Sequence, residues 1–594
     1  MGVKKDAAAS EDVFPIGISD FEKLISNGMV YIDKTSYLEK LLNPGIGVAL
    51  MLRPRRFGKT LTMSMLSCFL EMNYQHPEDR SRPERLFKDL AIYKNKAFCD
   101  KHMGRYPVIS LSFKEVEGDT FEDAVEMIVA IFAELAAKFE FLTKKKELDT
   151  VFLRRIKDCN HGIIPVFKPD GTFARTIASL IKFFVKNLTN CLKEVFNQDP
   201  VIIIDEYDVP LQKATAGGYY DKMLKVIRGI LSASLKDNNA NIHKGFVTGC
   251  LRIAHQSIFT GINNFKANSI HDEFLSGFIG LTKDETEKLL RQHGMTNRLQ
   301  DAVEWYDGYC FGGTDMLCPW SVLNFTEDAL NSSNPASFQP QNYWANSSGN
   351  DIIELCMKHP RPQDAERLQH LLEGKTEEII LREFTSYPAI TSDTDFDTFA
   401  TLMLHTGYLT VAGDAVPSAR NRAVVRIPNK EVLECFSDKL EPLFSKSNPE
   451  WLDKALKITG AFFAGEADKA SDIIEDMLVS FISIRDTGYE YFYHGFMLGI
   501  LSMTITNRMS MESNRESGNG FSDIIIKNSK TGKAVILEFK KCDRDTPLET
   551  EKVCREALKQ IEINRYDHDL KKDYPEVLKY GIAFVKKGCR VIKA

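Results

Sequence analysis

Three consecutive residues in the N-terminal part of the chain have the side chains that phosphate binding requires. Gly58, Lys59 and Thr60 end a loop that follows the apolar run 48–52, and apolar residues at helical spacing come after it. In such a loop, backbone N–H groups at a helix N-terminus hold phosphate oxygens, the lysine reaches the β and γ phosphates, and the hydroxyl contacts Mg²⁺. The triplet predicts a nucleoside triphosphate site with Mg²⁺.

The same loop departs from the usual phosphate-binding pattern at its first position. That pattern has a glycine where this chain has Arg53, so the conformational freedom of glycine is missing there. Arg56 lies inside the loop and is predicted to contact the nucleotide together with Gly58, Lys59 and Thr60. On its own the triplet leaves a purely structural loop as an alternative.

A second run of residues supplies the carboxylates that nucleotide hydrolysis needs. The apolar residues 201–204 indicate a buried strand, and Asp205, Glu206 and Asp208 follow it. Asp205 is predicted to hold Mg²⁺ near Thr60, and Glu206 to orient the attacking water. Asp208 is expected to structure the turn. The alternative is an acidic strand end exposed to solvent.

A polar residue and an arginine follow a further apolar run. Thr248 ends the run 245–248 and is predicted to sense the γ-phosphate, and Arg252 is predicted to stabilise charge during hydrolysis. Arg252 could act within its own chain or across a subunit contact, so a homo-oligomer is one of the states we consider. An ordinary surface arginine is the alternative.

Two acids and a lysine in the C-terminal part form a second candidate site. Asp523 lies at the start of one predicted strand, and Glu538 and Lys540 lie at the end of the next. Side chains alternate along a strand, so Glu538 and Lys540 share a face, and Asp523 can come alongside. Two carboxylates that hold Mg²⁺ and a lysine beside a phosphate serve phosphodiester hydrolysis. Gln560, on the helix that follows, is predicted to face the same site, and chance proximity is the alternative.

The charge of the chain is unevenly distributed. The 594 residues carry a formal net charge of −6, so a nucleic acid would need a local basic surface. Residues 521–594 contain 17 Lys and Arg against 12 Asp and Glu. The C-terminal domain is therefore predicted to contact nucleic acid, with DNA expected before RNA, although the lysines could also simply solvate the surface.

Apolar runs separated by long helical stretches predict an α/β fold. We expect a doubly wound parallel sheet in an N-terminal domain of residues 1–270, a mainly helical lid or connector over 271–450, and a smaller α/β domain over 451–594. The apolar runs that indicate the strands of the first sheet are 48–52, 107–113, 201–204 and 245–248.

The composition is that of a soluble globular protein of more than one domain. Hydrophobic residues make up 43% of the chain and charged residues 27%. The 12 cysteines lack a close C-x-x-C spacing and are expected to be buried thiols in a reducing compartment. The longest apolar stretches fall short of the ~20 residues that span a bilayer, and the N-terminal residues do not fit a leader peptide. We expect a cytoplasmic protein without membrane contact.

Ordered motifs along nearly the whole chain resemble a known pairing of domains. The pairing joins the AAA-ATPase-like family to a PD-(D/E)XK nuclease superfamily domain, and an arginine at the position of Arg53 is typical of that family. The motifs that carry the resemblance are Phe14-Pro15-Ile16-Gly17, Tyr31-Ile32-Asp33-Lys34-Thr35, the loop 53–60, Ile204-Asp205-Glu206-Tyr207-Asp208, Thr248-Gly249, Tyr306-Asp307-Gly308-Tyr309, Gly407-Tyr408-Leu409, Ile427-Pro428-Asn429, Tyr493-His494-Gly495, Asn514-Arg515-Glu516-Ser517-Gly518 and Ile536-Leu537-Glu538-Phe539-Lys540.

The resemblance implies an ATP-binding P-loop domain joined to a restriction-endonuclease-like α/β domain. It also implies ATP and Mg²⁺ as cofactors. The residues that match ATPase positions are Lys59, Thr60, Asp205 and Glu206, and those that match nuclease positions are Asp523, Glu538 and Lys540.

Three functions stay open on this basis. In the first, nucleotide binding reorients the middle region and the C-terminal domain hydrolyses a phosphodiester with Mg²⁺. In the second, the protein is a nucleotide-switched nucleic-acid or protein binding or signalling protein whose nuclease fold is catalytically inactive. In the third, the loop binds nucleotide weakly and the chain is an interaction scaffold.

Overall fold

A computed structural model of the protein divides into two compact units. The first comprises Met1–Asn346 and Glu378–Glu431, and the second Ser347–Glu377 and Val432–Ala594. The structure describes residues 13–251, 265–344, 367–382, 394–436, 449–481 and 490–594, with 369, 372–373, 414–418, 420, 503, 505–508, 518–519, 543, 545 and 569 left out of these ranges.

The first unit is built on a five-stranded sheet with the strand order β2-β3-β4-β1-β5. All of its neighbouring strands are parallel. Every residue of β1, β3 and β4 is buried, as expected for parallel strands covered on both faces. Because β3, β4 and β1 are neighbours, the loops that leave their carboxyl ends meet at one edge. The strands are β1 (Val48–Leu52), β2 (Val108–Ser112), β3 (Val201–Asp205), β4 (Lys244–Gly249) and β5 (Phe265–Asn268).

Helices connect these strands in the order strand, loop, helix. The longest of them, Arg175–Phe196, has an apolar face of buried residues at helical spacing. Local signals fix several helix starts; Thr120 and Asp123, for example, form a capping box at the start of Phe121–Lys138. The helices of this region are α1 (Phe21–Ser26), α2 (Leu38–Leu41), α3 (Lys59–Leu70), α4 (Ser81–Phe87), α5 (Lys96–His102), α6 (Phe121–Lys138), α7 (Val151–Asn160), α8 (Arg175–Phe196), α9 (Val209–Ala216) and α10 (Tyr220–Leu231).

The middle region combines helices with two small three-stranded sheets, ordered β6-β8-β7 and β10-β11-β9. The pairings β6–β8, β7–β8 and β10–β11 are antiparallel. Its helices are α11 (Lys283–Gln292), α12 (Leu299–Tyr306), α13 (Pro319–Asn331) and α14 (Phe396–Thr406). Its strands are β6 (Leu281–Thr282), β7 (Tyr309–Phe311), β8 (Thr314–Leu317), β9 (Glu377–Ile380), β10 (Thr410–Val411) and β11 (Arg422–Arg426).

The second unit is built on a mixed five-stranded sheet in sequential order, β12 to β16. Only β14 and β15 pair in parallel, while the other neighbours are antiparallel. The strands are β12 (Met509–Ser517), β13 (Gly520–Asn528), β14 (Lys533–Lys541), β15 (Glu576–Val585) and β16 (Gly588–Lys593). The helices are α15 (Pro449–Ala464), α16 (Ala467–Phe481), α17 (Glu490–Ser502), α18 (Pro547–Ile563) and α19 (Leu570–Asp573).

The predicted fold class is confirmed by the parallel N-terminal sheet, the mainly helical middle and the C-terminal sheet. Two strands of the C-terminal sheet, β12 and β16, were not predicted from the sequence. The Gly-, Ser- and Asn-rich stretch 513–522 carries no apolar strand pattern, whereas the backbone there continues β12 and begins β13. Pairing between backbones, and not an apolar alternation, defines that part of the sheet. The division into three domains at residues 270 and 450 stays a prediction.

The eleven described cysteines are buried and free of disulfides. None of the helices in the described part of the chain has both the length and the apolar character needed to cross a membrane.

Candidate functional sites

The phosphate-loop candidate is a tight turn between β1 and α3. Gly58 precedes the helix with φ of 93°, a conformation that glycine adopts without strain. A Cβ at Gly58 would meet no atom within 4 Å, so the backbone angle, and not crowding, requires glycine here. The helix begins at Lys59, and its first N–H groups lie at the carboxyl edge of the parallel sheet.

Arg53 explains why the loop begins without glycine. Its side chain is 1% exposed and donates hydrogen bonds to the carbonyl oxygens of Leu52, Ser269 and Leu275 at 2.8, 3.0 and 3.2 Å. It also donates to Asn268 Oδ1 at 2.9 Å. Burial lowers the pKa of Arg53 to about 10. The guanidinium group thus joins the loop to the segment after β5, a role no glycine could fill.

Thr60 and Asp205 come together as predicted. The Thr60 hydroxyl donates to Asp205 Oδ2 at 2.8 Å, and the Thr248 hydroxyl donates to Asp205 Oδ1. Burial is the main cause that raises the pKa of Asp205, and the nearby Glu206 adds to it, while the two hydroxyl donors act in the opposite direction. One carboxylate therefore connects the loop, the end of β3 and the end of β4.

Lys59 lies between the loop and the acids. Its Nζ donates to the carbonyl oxygens of Arg53 and Pro54, both at 3.1 Å, and lies 3.3 Å from Glu206 Oε1. Burial lowers the pKa of Lys59, but the neighbouring acidic groups, with the carboxylates of Glu206, Asp208 and Asp205 among them, raise it by more.

Cys250 is a neighbour that the sequence analysis missed. Its Sγ lies 3.4 Å from Lys59 Nζ, and burial raises the pKa of the thiol to about 12, so the group is a neutral thiol at pH 7. A signal was present in the sequence, because Cys250 comes directly after the apolar run that ends in Thr248 and Gly249, and this run forms β4 beside β1.

Asp208 and Tyr207 hold the chain that leaves β4. Asp208 Oδ2 accepts hydrogen bonds from the N–H groups of Cys250 and Leu251 at 3.0 and 2.8 Å. The Tyr207 hydroxyl donates to the Leu251 carbonyl oxygen at 2.6 Å. Burial, and then the proximity of Glu206, raises the pKa of Asp208 to about 6. The structural role expected for Asp208 fits these contacts.

Two arginines, Arg56 and Arg252, were also predicted to contact the nucleotide. The Arg56 guanidinium lies over the Trp320 ring at 4.5 Å and donates to the Tyr343 carbonyl oxygen at 2.7 Å. The backbone of Arg56 has a φ of 68°. Arg252 lies outside the described residues. Nucleotide contact by either arginine stays a prediction.

The middle region packs directly against the loop. A Cβ on Gly407 would lie 2.8 Å from Pro54 Cβ, and the Phe57 ring makes an edge contact with Tyr309 at 4.9 Å. The Tyr309 hydroxyl donates to the Gly407 carbonyl oxygen at 3.1 Å. The short motifs around Tyr309 and Gly407 are therefore parts of the packing that fixes the loop.

An apolar cavity lies beside Gly58. Its walls include Tyr31 and Ile32 from the N-terminal segment, Phe57 from the loop and Leu61 from α3. Lys34 also lines the cavity, and its Nζ is paired with Glu285 Oε2 at 2.5 Å. The N-terminal motif thus builds one wall of a pocket next to the phosphate-loop candidate.

In the second unit, strand register brings the predicted acids and lysine together. Ile524 pairs with Leu537 across β13 and β14, which sets Asp523 opposite Glu538. Asp523 Oδ2 accepts a hydrogen bond from the Phe539 N–H at 2.6 Å. Lys540 Nζ lies 3.9 Å from Glu538 Oε1. Glu538 is 1% exposed.

Two further residues lie around this group. The His494 Nε2 is 3.1 Å from the Asp523 carbonyl oxygen, so α17 supports β13 at this point. Gln560 donates to the Tyr566 hydroxyl at 3.5 Å. Gly581 is the β15 partner of Glu538. A Cβ built on Gly581 would lie 2.1 Å from the Cys554 carbonyl oxygen, so helix α18 crosses the sheet with Cys554 close to the position of Glu538 along the strand. Gln560 therefore lies about 9 Å further along the helix, and its catalytic role stays a prediction.

The second unit's site supplies two carboxylate ligands for a hard cation such as Mg²⁺. Asp523 and Glu538 offer carboxylate oxygens, the ligands that Mg²⁺ prefers. Within the described ranges, no group of three or more His, Cys, Asp or Glu side chains is arranged to hold a metal ion. Mg²⁺ in proteins is often held by one or two carboxylates, water and a substrate phosphate, and two acids are what this site supplies.

Comparison with known proteins identifies both parts of the chain. Residues 15–259 match the family model of a predicted AAA-ATPase, and residues 488–594 match the model of the PD-(D/E)XK nuclease superfamily. The chain therefore has an AAA-ATPase-like domain followed by a PD-(D/E)XK nuclease superfamily domain, and the resemblance drawn from its motifs is confirmed. An uncharacterized protein in the vnfD 5' region of Azotobacter chroococcum mcd 1 is 23% identical over 437 residues, which cover 73% of this chain and 70% of the relative.

Proposed function

We propose that the first unit binds and hydrolyses ATP with Mg²⁺. The observation that carries the proposal is the hydrogen bond between Thr60 and Asp205 beside the Lys59 ammonium group. Bound Mg²⁺ would be held by Thr60 and Asp205 and would supply charge neutralisation at the triphosphate. Lys59 would exchange its loop carbonyl partners for phosphate oxygens. Glu206 would orient the attacking water and take its proton.

The cavity beside Gly58 has a volume of about 80 Å³, below the ~300–1,000 Å³ of usual ligand sites, so it does not by itself accommodate a purine base. Tyr31, Ile32, Phe57 and Leu61 give it apolar walls next to the loop that would hold the phosphates.

The ATPase proposal is tested with substitutions in the loop and at the strand end. Lys59→Ala should reduce binding of a fluorescent ATP analogue at least tenfold, while Glu206→Gln should bind it and lose phosphate release. Lys88→Ala removes an exposed lysine elsewhere in the same unit and should leave both activities unchanged. Equal ATP binding by the Lys59→Ala variant and the unsubstituted protein would contradict the proposal.

We also propose that the second unit hydrolyses phosphodiester bonds in nucleic acid, with DNA as the first substrate to test. Asp523 and Glu538 would hold Mg²⁺, which activates water and neutralises charge at the phosphate. Lys540 lies on the same face of β14 as Glu538, 3.9 Å away, and would bind the scissile phosphate. The Phe539 N–H bond would keep the Asp523 carboxylate in one orientation.

Plasmid cleavage with Mg²⁺, with and without ATP, tests this proposal. Lys540→Ala and Asp523→Asn should abolish cleavage. Lys541→Ala is a matched control, because the neighbouring lysine is exposed and points to the other face of the strand. Cleavage that survives Lys59→Ala would show that ATP only regulates. Cleavage retained by Lys540→Ala would assign the activity to another site or a contaminant.

A nucleotide-switched binding protein is the second candidate. The observation that favours it is the 1% exposure of Glu538, which fits an acid held for packing as well as one held for catalysis. This candidate predicts that oligonucleotides bind, that ATP changes their affinity, and that no cleavage occurs with Mg²⁺. A location in the cytoplasm and a homo-oligomeric state stay predictions that cell fractionation and sedimentation can test.

A further inference from the structure

A groove in the first unit lies between helices α8 and α10. It has a volume of about 470 Å³, within the range of ~300–1,000 Å³ typical of ligand sites. Its surface is mostly apolar, and Phe173, Ile181 and Val226 contribute to it. Phe121, the first residue of α6, also lines it.

Lysines surround this apolar surface. Lys182 from α8 and Lys222 and Lys225 from α10 line the groove, and Glu122 is the one acidic residue that does. All three lysines are exposed. Among the described residues, none of them lies within ion-pair distance of a carboxylate, so their charge is available to a ligand.

The two helices are basic as a whole. Together they carry seven Lys and Arg residues and two acidic residues, in a chain with a net charge of −6. A Cβ built on Gly229 would lie 3.5 Å from Lys182 Cγ, so the helices meet closely where Lys182 crosses. Three of these positive charges, those of Lys182, Lys222 and Lys225, therefore line the same groove.

We infer that this groove binds single-stranded nucleic acid. Lysines without carboxylate partners suit phosphate groups, and an apolar floor with a half-buried aromatic ring suits unpaired bases, which stack on such rings. Phe173 is one of the two aromatic rings that line the groove, and it forms a stacked pair with Phe167 at 5.3 Å. Duplex DNA offers its phosphates but not its base faces. The surface would give the AAA-ATPase-like domain its own contact with the polymer, separate from the acids of the second unit.

The test measures binding to the full chain in EDTA and without nucleotide. Under these conditions an inactive ATPase or nuclease site does not change the result, so failure of the proposed function and failure of this inference are distinguishable. The ligand is a fluorescein-labelled single-stranded DNA 30-mer, followed by anisotropy between 50 and 300 mM KCl. A duplex of the same sequence serves as the second ligand.

The key variant carries Lys182→Glu, Lys222→Glu and Lys225→Glu. It should weaken single-strand binding at least tenfold at 100 mM KCl and lower the slope of log Kd against log salt by about 2, since each phosphate contact contributes about 0.7. A control with Lys88→Glu, Lys94→Glu and Lys101→Glu makes the same charge change at exposed positions of the same unit and should stay within twofold. Equal losses in both triple variants, or none in the first, would overturn the inference.

Two further measurements test the contact with bases. Phe173→Leu should weaken single-strand binding about fivefold or more, because one stacked base contributes ~1–3 kcal/mol, and should leave duplex binding unchanged. A 5-bromodeoxyuridine strand should crosslink to peptides within 171–182 or 222–229. Crosslinks confined to the second unit, or duplex binding as tight as single-strand binding, would refute a single-strand surface here. Such results would leave an acidic protein segment as the occupant of the groove.

Discussion

The two candidate sites are assembled in different ways. The acids of the second unit, Asp523 and Glu538, lie on neighbouring strands, and backbone register alone sets them side by side. The site of the first unit joins residues far apart in the chain, and each is held by side-chain bonds such as that from Thr60 to Asp205. Substitution of a polar side chain in the second unit's site should therefore change the free energy of unfolding little. The same kind of substitution in the first unit's site should reduce both stability and activity.

The largest expected effect comes from Arg53→Gly, which restores the usual glycine of a phosphate loop. We expect a loss of about 3–5 kcal/mol in the stability of the first unit, since the change leaves buried carbonyl groups without donors. Thermal unfolding of the full chain, with the transition of each unit followed separately, measures it. Arg53→Lys keeps the charge but not the several bonds and should be intermediate. An unchanged unfolding temperature for the glycine variant would show that the guanidinium is not needed.

A smaller loss is expected from Gly249→Ala at the end of β4. The new Cβ would lie 2.6 Å from Asp208 Oδ1 and 2.7 Å from the Tyr207 ring, so the turn must shift. We expect a cost of about 1–3 kcal/mol and a fall in ATP hydrolysis greater than the fall in ATP binding. Gly460→Ala in the second unit meets no atom within 4 Å and is the control. Equal behaviour of the two variants would contradict the crowding.

Acidification should weaken the first unit through two histidines. Burial, together with nearby lysines, lowers the pKa of His102 and of His243 to about 4, below the unfolded value of about 6.5. The unfolded chain therefore binds more protons between these values, and stability falls as the pH drops from 7 towards 4. We expect a loss of order 1 kcal/mol per histidine by pH 5.5.

Urea unfolding at pH 7.0 and 5.5 measures that loss. In the variant with His102→Gln and His243→Phe, the difference between the two pH values should shrink, whatever the stability at pH 7. The aromatic ring that replaces His243 can keep the stack on Tyr106, whose ring lies 4.2 Å from that of the histidine. An undiminished pH dependence in this variant would assign the effect to other groups.

The smallest effect on stability is expected at the second site. Asp523→Asn keeps an oxygen for the Phe539 N–H, so unfolding should change by less than about 0.5 kcal/mol, while cleavage is lost. Asp205→Asn in the first unit should cost more, because one of the hydroxyl donors from Thr60 and Thr248 then faces an amide group. Similar changes in the free energy of unfolding for Asp523→Asn and Asp205→Asn would contradict the proposed difference between the two sites.

The contrast also decides what could be predicted from the sequence. Alternation along a strand placed Glu538 and Lys540 on one face, and the adjacency of parallel strand ends placed Asp205 near Thr60. Both follow from backbone geometry. The burial of Arg53 could not be derived, because its partners lie more than 200 positions away in sequence. The distance of Gln560 from Glu538 depends on where helix α18 crosses the sheet, which periodicity does not fix.

The position of the Lys59 ammonium group sets the character of nucleotide binding. Its hydrogen atoms are directed at two oxygens of its own loop and at the Cys250 sulfur, and Glu206 Oε1 lies 3.3 Å away. A triphosphate that binds would have to displace these partners from the ammonium group. The measured affinity for ATP would therefore reflect the difference between two interaction free energies of Lys59, one with phosphate oxygens and one with its partners in the protein. Substitutions that weaken the contacts of Lys59 within the protein would therefore increase the affinity for ATP, although the substituted residues do not contact ATP.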